Sequence, residues 1–148
     1  MDYSQRFKIV TASYLMLIRD DKILLSRRFN TGYEDGNYSL PAGHVDEGET
    51  LAGTLVREAK EEIDITLDRS GLELKHVMHR GATNLEGEYI SFFFVAKKWQ
   101  GEPKIMEPHK CDDLKWFLLN DLPVNLIPYV RVAIESALAN NSYSEFGW

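Results

Sequence analysis

Two segments of this chain are apolar on both of their alternating faces, and this constrains the fold more than any other feature of the sequence. In residues 7–18 and again in residues 89–99, β-forming apolar side chains fall on both faces of an extended chain. A strand that is apolar on both faces must be covered on both faces. The two segments therefore predict central strands of a sheet, with a layer of structure on either side.

Amphipathic helices can supply those layers. Residues 50–63 place apolar side chains at helical spacing, and Thr50 is suited to cap the N-terminus of this helix. Residues 127–139 repeat the helical pattern near the end of the sequence. Further strands are predicted at residues 23–28, 72–80 and 114–119. The order of strands, helix, strands and helix predicts an α/β/α sandwich around a mixed β-sheet.

Length and composition are those of one ordinary domain. The chain has 148 residues, of which 44% are hydrophobic and 27% are charged, a balance that is typical of globular proteins. A chain of this length buries roughly 70% of its unfolded surface, which is enough for an independent core. We therefore expect residues 1–148 to form a single domain.

Charge and cysteine content limit the partners and the compartment. The net charge of −6 disfavours a nucleic-acid duplex, although a small anionic substrate could bind beside a local cation. Cys111 is the single cysteine, so no disulfide can form within the chain, which fits a reducing compartment. The sequence shows no signal-peptide pattern and no run near the ~20 apolar residues of a membrane span. We expect a cytoplasmic protein that does not enter a membrane.

The segment from Gly43 to Ile65 carries seven carboxylates in 23 residues. Glu58, Glu61 and Glu62 fall within an arc of about 100° beside the apolar stripe of the predicted helix, because their spacing is i, i+3 and i+4. Three carboxylates at such distances raise one another's pKa and destabilise the helix. A hard divalent cation such as Mg²⁺ reverses the sign of that energy. An ordinary solvated acidic face is the alternative, and the helix alone does not exclude it.

Two neighbouring features favour the metal site over the solvated face. Gly43 and Gly48 flank an acidic loop before the helix, where the backbone can approach a ligand closely. Arg57 lies within reach of Glu49, so that a bidentate ion pair could tie this loop to the helix. Both features place a constrained loop next to the glutamates.

The same segment resembles the signature of the Nudix hydrolases. The matching positions are Gly43, Glu49, Arg57, Glu58, Ala59, Glu61, Glu62 and Ile65. The one fixed position that departs is Asp64, where the family has a glycine that ends the helix. Glycine suits a left-handed residue at that point, and aspartate tolerates the same conformation better than most residues. We expect a modest loss of stability at Asp64 and unchanged chemistry.

The resemblance extends over most of the chain. The segments "LLSRR", "SLPAGHVDEGET" and "GEPKIMEPHKCDDLKWFLLNDLP" resemble the MutT-type nucleotide pyrophosphatases. This implies a Nudix-type α/β/α sandwich that hydrolyses a nucleoside diphosphate linked to another group, with Mg²⁺ or Mn²⁺ as cofactor. A nucleoside triphosphate is the first candidate substrate, and a nucleotide sugar or another diphosphate stays open. Nudix domains often form dimers, so a homodimer is open as well.

The resemblance also implies roles for individual carboxylates. Glu58, Glu61 and Glu62 would bind the metal together with the backbone carbonyl of Gly43. One of these glutamates, or another acidic residue, would activate the attacking water. Glu107, in the loop "KIMEPHKC", matches a loop glutamate that reaches the metal cluster or the water in MutT-like proteins. A solvated loop glutamate is the alternative at this position.

Five more residues have expected roles beside the carboxylates. Arg57 and Glu49 are expected to be structural. Arg28 and Arg27 end a predicted strand, and MutT-like proteins place an arginine at this point against the substrate phosphates. Solvated surface arginines are the alternative. His44 directly follows the first glycine of the signature and could contact the substrate.

Two other functions are compatible with such a fold. A Nudix-fold domain could bind a nucleotide as a regulator without cleaving it, but the intact Arg-Glu and Glu-Glu pairs of the signature favour an enzyme. An isoprenyl diphosphate isomerase would need a catalytic cysteine near the start of the domain, whereas Cys111 lies late in the chain. We therefore predict a divalent-metal-dependent pyrophosphohydrolase.

Overall fold

The computed structural model describes residues 2–148. They contain ten strands, two α-helices and two short 3-10 turns. The helices are α1 (Leu51–Ile63) and α2 (Pro128–Leu138), and the 3-10 turns are Tyr3–Gln5 and Arg69–Gly71. The strands are β1 (Val10–Arg19), β2 (Lys22–Arg28), β3 (Tyr38–Ser39), β4 (Ala42–His44), β5 (Thr66–Leu67), β6 (Glu73–Arg80), β7 (Tyr89–Ala96), β8 (Trp99–Gln100), β9 (Cys111–Leu118) and β10 (Tyr143–Phe146).

Eight of the strands in residues 2–148 form one mixed sheet. Its order is β10-β6-β7-β1-β2-β3, while β4 pairs with β1 and β9 pairs with β2. β1 runs parallel to β7 and β10 runs parallel to β6, whereas the other paired strands are antiparallel. β5 and β8 form a separate antiparallel pair. The predicted mixed sheet is confirmed.

A hydrophobic core covers each face of the sheet. Along β1, Tyr14 and Met16 belong to the core that contains α2, while Leu15 and Leu17 belong to the core that contains α1. The apolar faces of β7 divide between the two cores in the same way. Each square ångström of apolar surface buried in this way contributes roughly 25 cal/mol. The predicted α/β/α sandwich is therefore confirmed, with β1 and β7 at its centre.

Local chain geometry follows the sequence in most places. The turn between β1 and β2 is a two-residue hairpin in which Arg19 pairs with Lys22 and Asp20 adopts a φ of 55°. β9 begins at Cys111, three residues earlier than predicted, because its pairing with β2 continues to that residue. The sequence pattern does not predict β3, β4, β5 or β10, since two to four residues carry too little periodicity.

The sheet divides along one edge of β1, and this division positions the site. β1 pairs with β4 through Ala12, Ser13 and Tyr14, but with β2 only through Ile18 and Arg19. β2 and β4 therefore leave β1 at different points along its length. The space between them is open to side chains from α1 and from the loops that follow β2 and β8.

Candidate active site

A cavity of about 770 Å³ lies where β2 and β4 diverge, a size within the usual range for small-molecule sites. It is lined by the end of β2, by β4, by the last two turns of α1, and by residues of the loops 29–37, 81–88 and 101–110. Every residue predicted to contact metal or substrate lines this cavity: Arg27, Arg28, Gly43, His44, Glu58, Glu61, Glu62 and Glu107. The fold thus brings together residues from four separate segments of the sequence.

The caps of α1 fix the glutamates along the cavity wall. Thr50 accepts a hydrogen bond from the backbone N–H of Gly53 at 3.0 Å, as predicted. At the other end Asp64 adopts a left-handed conformation, with φ 55° and ψ 41°. Lys60 and Lys104 pair with the Asp64 carboxylate at 2.6 and 3.3 Å and lower its pKa. The family glycine is thus replaced by an aspartate in the conformation that glycine favours.

Gly43 allows the glutamate face of α1 to approach the backbone of β4. A Cβ atom at this position would overlap the Cγ and Oε1 atoms of Glu58, so only glycine fits without a shift of the helix or its side chain. The close approach brings the Gly43 backbone and the Glu58 carboxylate to the same side of the cavity. The metal-binding prediction requires this proximity, because it assigns the Gly43 carbonyl and the Glu58 carboxylate to the same cation.

Arg57 is the centre of a network of ion pairs. Its Nη2 lies 2.9 Å from Glu49, which is the predicted contact, and its Nη1 lies 2.7 Å from Glu58 and 3.3 Å from Glu61. Hydrogen bonding to Arg57 lowers the pKa of Glu49, and the same bond raises the pKa of Arg57. The spacing of the sequence indicates the Glu49 contact. The additional contacts with two of the predicted metal ligands are a finding of the structure.

Glu58 and Glu62 are carboxylates whose charged forms are disfavoured. Burial is the largest cause of the raised pKa of each, and for Glu62 the neighbouring Glu58 and Glu107 raise the pKa further. The side chain of Glu58 is 16% exposed, whereas that of Glu61 is 55% exposed. Glu61 therefore faces solvent at the rim, and Glu58 and Glu62 lie deeper.

Glu107 reaches this cluster because its loop is bound to the end of α1. The backbone N–H groups of Lys104 and Met106 donate to the carbonyls of Ile63 and Glu62, at 3.0 and 3.1 Å. Terminal helix carbonyls lack partners within the helix, so these bonds satisfy groups that are otherwise unpaired. The sequence places Glu107 in a loop, and the capping bonds explain its position beside Glu62.

The donor set fits a hard divalent cation. Carboxylate and carbonyl oxygens are the ligands that Mg²⁺ prefers, and a cation would relieve the repulsion between Glu58 and Glu62. Among residues 2–148, no three acidic, histidine or cysteine side chains converge as a complete ligand set. Glu58 Oε1 instead accepts a hydrogen bond from Arg57. Binding of a cation would therefore reorganise carboxylates that the fold has already brought close together.

Both predicted substrate arginines line the cavity while bonded to neighbouring residues. Arg28 donates to the carbonyl of Tyr33 at 2.6 Å and to the hydroxyl of Thr31 at 3.0 Å, so it braces the loop that follows β2. Arg27 pairs with Asp112 at 2.8 Å. Exposed ion pairs of this kind contribute little to stability. Arg27 can therefore exchange its partner for a phosphate at small cost.

No sequence motif marks the aromatic wall of the cavity. Arg80 and Glu86 line it together with four tyrosines, namely Tyr14, Tyr33, Tyr89 and Tyr129. His44, whose contact with substrate is predicted, lies with Nε2 3.2 Å from the hydroxyl of Tyr89. These residues come from β1, β4, β6, β7, α2 and two loops, and no local motif links them. Only the tertiary structure assembles this wall.

Comparisons with known proteins identify the family. The family profile for the NUDIX domain matches residues 9–136. The crystal structure of a MutT NUDIX hydrolase from Burkholderia pseudomallei is 31% identical, with a TM-score of 0.80, and the match covers 87% of this chain and 98% of that chain. The NUDIX domain of Shewanella oneidensis NrtR, solved with ADP ribose, has a TM-score of 0.74 at 22% identity, covering 94% of this chain and 92% of that one. This second likeness concerns the fold alone.

Curated relatives include longer proteins. The NAD-capped RNA hydrolase NudC of Pseudomonas putida is 30% identical over 118 residues, which is 78% of this chain. The match covers 39% of that relative, so the chain corresponds to well under half of its length. Across residues 2–148, the helices are too short or too polar to cross a membrane.

Proposed function

This chain belongs to the Nudix hydrolase family, and we propose that it hydrolyses the diphosphate linkage of a nucleoside diphosphate derivative with the aid of a divalent metal. A nucleoside triphosphate is the first candidate substrate. The observation that carries the proposal is one cavity with two chemically different walls. Four carboxylates, Glu58, Glu61, Glu62 and Glu107, suit a cation and a phosphate chain, and the aromatic wall suits a base.

The proposed chemistry assigns distinct tasks to the residues of the acidic wall. Glu58, Glu61 and Glu62, with the carbonyl of Gly43, would hold Mg²⁺ or Mn²⁺, which neutralises charge on the phosphate oxygens when bound. Arg57 and Glu49 hold the loop and the helix in register. A carboxylate of the cluster orients the attacking water and accepts its proton.

The aromatic wall and the arginines bind the substrate in this proposal. Arg27 turns from Asp112 to the phosphates, while Arg28 keeps the loop after β2 in place at the cavity rim. His44 contacts the substrate beside the glutamates.

The burial that raises the pKa of the Cys111 thiol is the opposite of what a catalytic cysteine needs, which disfavours an isomerase.

A dinucleotide of the NAD type is a second candidate substrate. The NudC relatives favour it, because they are NAD-capped RNA hydrolases and their similarity covers 78% of this chain. Both candidates contain a diphosphate linkage between a nucleoside and a second group. They differ in the leaving group, and a direct comparison of rates separates them.

The test is a substrate panel measured with Mg²⁺ and with a chelator. The panel contains the common nucleoside triphosphates, NAD, ADP-ribose and a nucleotide sugar, and the readout is the release of pyrophosphate, phosphate or nucleoside monophosphate. We expect hydrolysis that disappears in chelator. Full activity in chelator would refute the metal assignment, and binding without hydrolysis across the panel would favour the regulatory alternative.

We further propose that the protein is cytoplasmic and that it can form a homodimer. The single cysteine supports a reducing compartment, and the net charge of −6 supports a small-molecule substrate over a nucleic-acid duplex. Fractionation of cells and light scattering of the purified protein test these two statements separately. A mass of 17.0 kDa in solution would contradict the dimer.

A further inference from the structure

The aromatic wall of the cavity holds one buried cation between two rings. Arg80, at the end of β6, is only 4% exposed. Its guanidinium carbon lies 4.4 Å from the ring centre of Tyr89 and 4.1 Å from that of Tyr129. Cation–π contacts on two sides hold the guanidinium in place. This is a fixed group built into the cavity wall, unlike a mobile arginine on the surface.

Arg80 keeps hydrogen-bonding capacity that the chain does not use. Its Nη1 donates to Glu86 at 2.8 Å, and the other two guanidinium nitrogens donate no bond within residues 2–148. Nε is buried and unpaired. A buried donor without a partner is costly and uncommon in folded proteins. Because Nε is buried, the donors that a bound ligand can satisfy are those of Nη2 and the second N–H of Nη1.

Glu86 supplies an acceptor beside these donors. One of its carboxylate oxygens binds Arg80, while the other has a contact of 3.5 Å with the hydroxyl of Tyr89, which is at the limit of a hydrogen bond. Because the two charges balance, the pair attracts an anion less than a free arginine would. The aromatic surroundings instead favour a planar ring. The ligand that fits is a neutral ring with both an acceptor and a donor on its edge.

A hydrogen bond connects this wall to the acidic wall. The Tyr89 ring that stacks on Arg80 also carries the hydroxyl that lies 3.2 Å from His44 Nε2. His44 follows Gly43, whose backbone meets Glu58. A nucleotide with its phosphates at the glutamates can therefore extend its base towards Arg80 within the same cavity.

We propose that Arg80 and Glu86 form a nucleobase subsite that selects bases with a ring carbonyl next to a ring N–H. This inference rests on the proposed function, in which the substrate is a nucleotide. Arg80 donates to the carbonyl and Glu86 accepts from the N–H. Hypoxanthine, guanine, uracil and thymine carry this edge, whereas adenine and cytosine carry an amino group beside an unprotonated ring nitrogen.

The number of unpaired donors determines this preference. A carbonyl oxygen has two lone pairs and can accept from two N–H groups of one guanidinium. An unprotonated ring nitrogen has a single lone pair and leaves one donor of Arg80 unpaired. A site that hydrogen-bonds a particular group discriminates strongly against an analogue that lacks it.

Two pairs of nucleoside monophosphates test the subsite without any catalysis. IMP differs from AMP, and UMP from CMP, only at the edge that Arg80 and Glu86 are proposed to read. In calorimetric titrations of the whole protein, we expect IMP and UMP to bind at least about tenfold more tightly than AMP and CMP, which is the effect of one polar contact. Equal affinity within each pair would overturn the proposal.

Glu86→Gln, with Glu88→Gln as its matched control, assigns the selectivity to this residue. Both glutamates lie in the segment between β6 and β7 and lose one charge, but Glu88 pairs with His79 at 3.3 Å and does not line the cavity. When the new amide accepts from Arg80, its NH₂ group faces the N–H of the base. We expect Glu86→Gln to reduce the preference for IMP over AMP about tenfold, and Glu88→Gln to leave it unchanged.

The remaining outcomes separate this inference from the proposed function. An equal loss of affinity for all four monophosphates in Glu86→Gln would show that Glu86 only positions Arg80, and would overturn the base assignment. Failure of every monophosphate to bind would do the same. Selective binding of IMP and UMP without hydrolysis of any substrate would retain the subsite and refute the hydrolase proposal alone.

Discussion

At the scale of single residues, the charges of the site are those of Arg57 and of the glutamates around it. Arg57 compensates Glu49, Glu58 and Glu61, whereas Glu62 has a raised pKa and lies beside Glu58 and Glu107. Removal of the Arg57 guanidinium and removal of the Glu62 carboxylate should therefore have opposite effects on the stability of the metal-free protein. Three substitutions separate these contributions.

Arg57→Ala should lower both stability and rate. It leaves Glu49, which is only 22% exposed, and Glu58 without their cationic partner. An unpaired, half-buried carboxylate such as that of Glu58 costs about 1–3 kcal/mol. Urea denaturation measures the loss, and Arg57→Lys is the control that keeps the charge without the forked geometry. Unchanged stability together with weaker substrate binding would mean that Arg57 contacts the substrate.

Glu62→Gln should abolish activity and yet stabilise the metal-free protein at high pH. Since burial and Glu58 raise the pKa of Glu62 in the folded state, ionisation of Glu62 opposes folding. The penalty is absent below the unfolded pKa of about 4.3 and develops as the pH rises towards and through the folded pKa. In chelator, we expect the variant to melt above the wild type at pH 8 and level with it near pH 4.

Mg²⁺ should reverse that order. The cation should raise the melting temperature of the wild type at pH 8 and have little effect on Glu62→Gln, which lacks one ligand charge. Glu47→Gln, at an exposed position of the preceding loop, is the control for a general change in net charge. A variant that melts below the wild type in chelator at pH 8 would contradict the raised pKa of Glu62.

Glu107→Gln should lower turnover at least about tenfold, or roughly 1.4 kcal/mol in the barrier. Glu107 raises the pKa of Glu62 and lines the same cavity, so it can help to hold a cation or accept a proton from water. The melting temperature should change little, because the capping bonds of this loop come from the backbone. Wild-type turnover across the pH range would exclude Glu107 from the site.

At the scale of elements, the end of α1 determines the position of the loop 101–110. Asp64 ends the helix in the left-handed conformation, and the loop 101–110 caps the carbonyls of Glu62 and Ile63. The helix and the loop are therefore one structural unit, although 40 or so residues separate them in the sequence. The unit depends on a backbone conformation that few residue types adopt.

Asp64→Gly should be more stable than Asp64→Ala by about 1 kcal/mol. Both substitutions remove the pairs with Lys60 and Lys104, but only alanine meets the steric cost of the left-handed region. Urea denaturation of the two variants gives the difference directly. We expect activity close to wild type in Asp64→Gly. Equal stability of the two variants would show that the helix end shifts in response to the substitution.

At the scale of the whole molecule, the cavity lies where β2 and β4 leave β1, and strands, α1 and loops all contribute residues to its lining. A ligand that contacts both walls should stabilise the global fold. Mg²⁺ with a non-hydrolysable nucleotide at 100 times its Kd should add about 2.7 kcal/mol to the free energy of unfolding. The same mixture should have a much smaller effect on Glu62→Gln. Equal stabilisation of both proteins would place the nucleotide outside this cavity.

The sequence by itself determined the layers of the fold and the acidic wall of the site. Apolar side chains on both faces of residues 7–18 and 89–99 require cover on both sides, and the structure places a core on each face of β1 and β7. Helical spacing brings Glu58, Glu61 and Glu62 to one face of α1 regardless of tertiary context. Such features are local, because they depend on the period of a strand or a helix.

The tertiary structure alone decided which distant residues share the cavity. Glu107 meets Glu62 through backbone bonds that no side-chain pattern encodes. Arg80, Glu86 and Tyr129 come together only because β6, the segment between β6 and β7, and α2 pack against one side of the sheet. Contacts between residues far apart in sequence depend on strand order and on where β2 and β4 leave β1, and a periodic pattern contains neither.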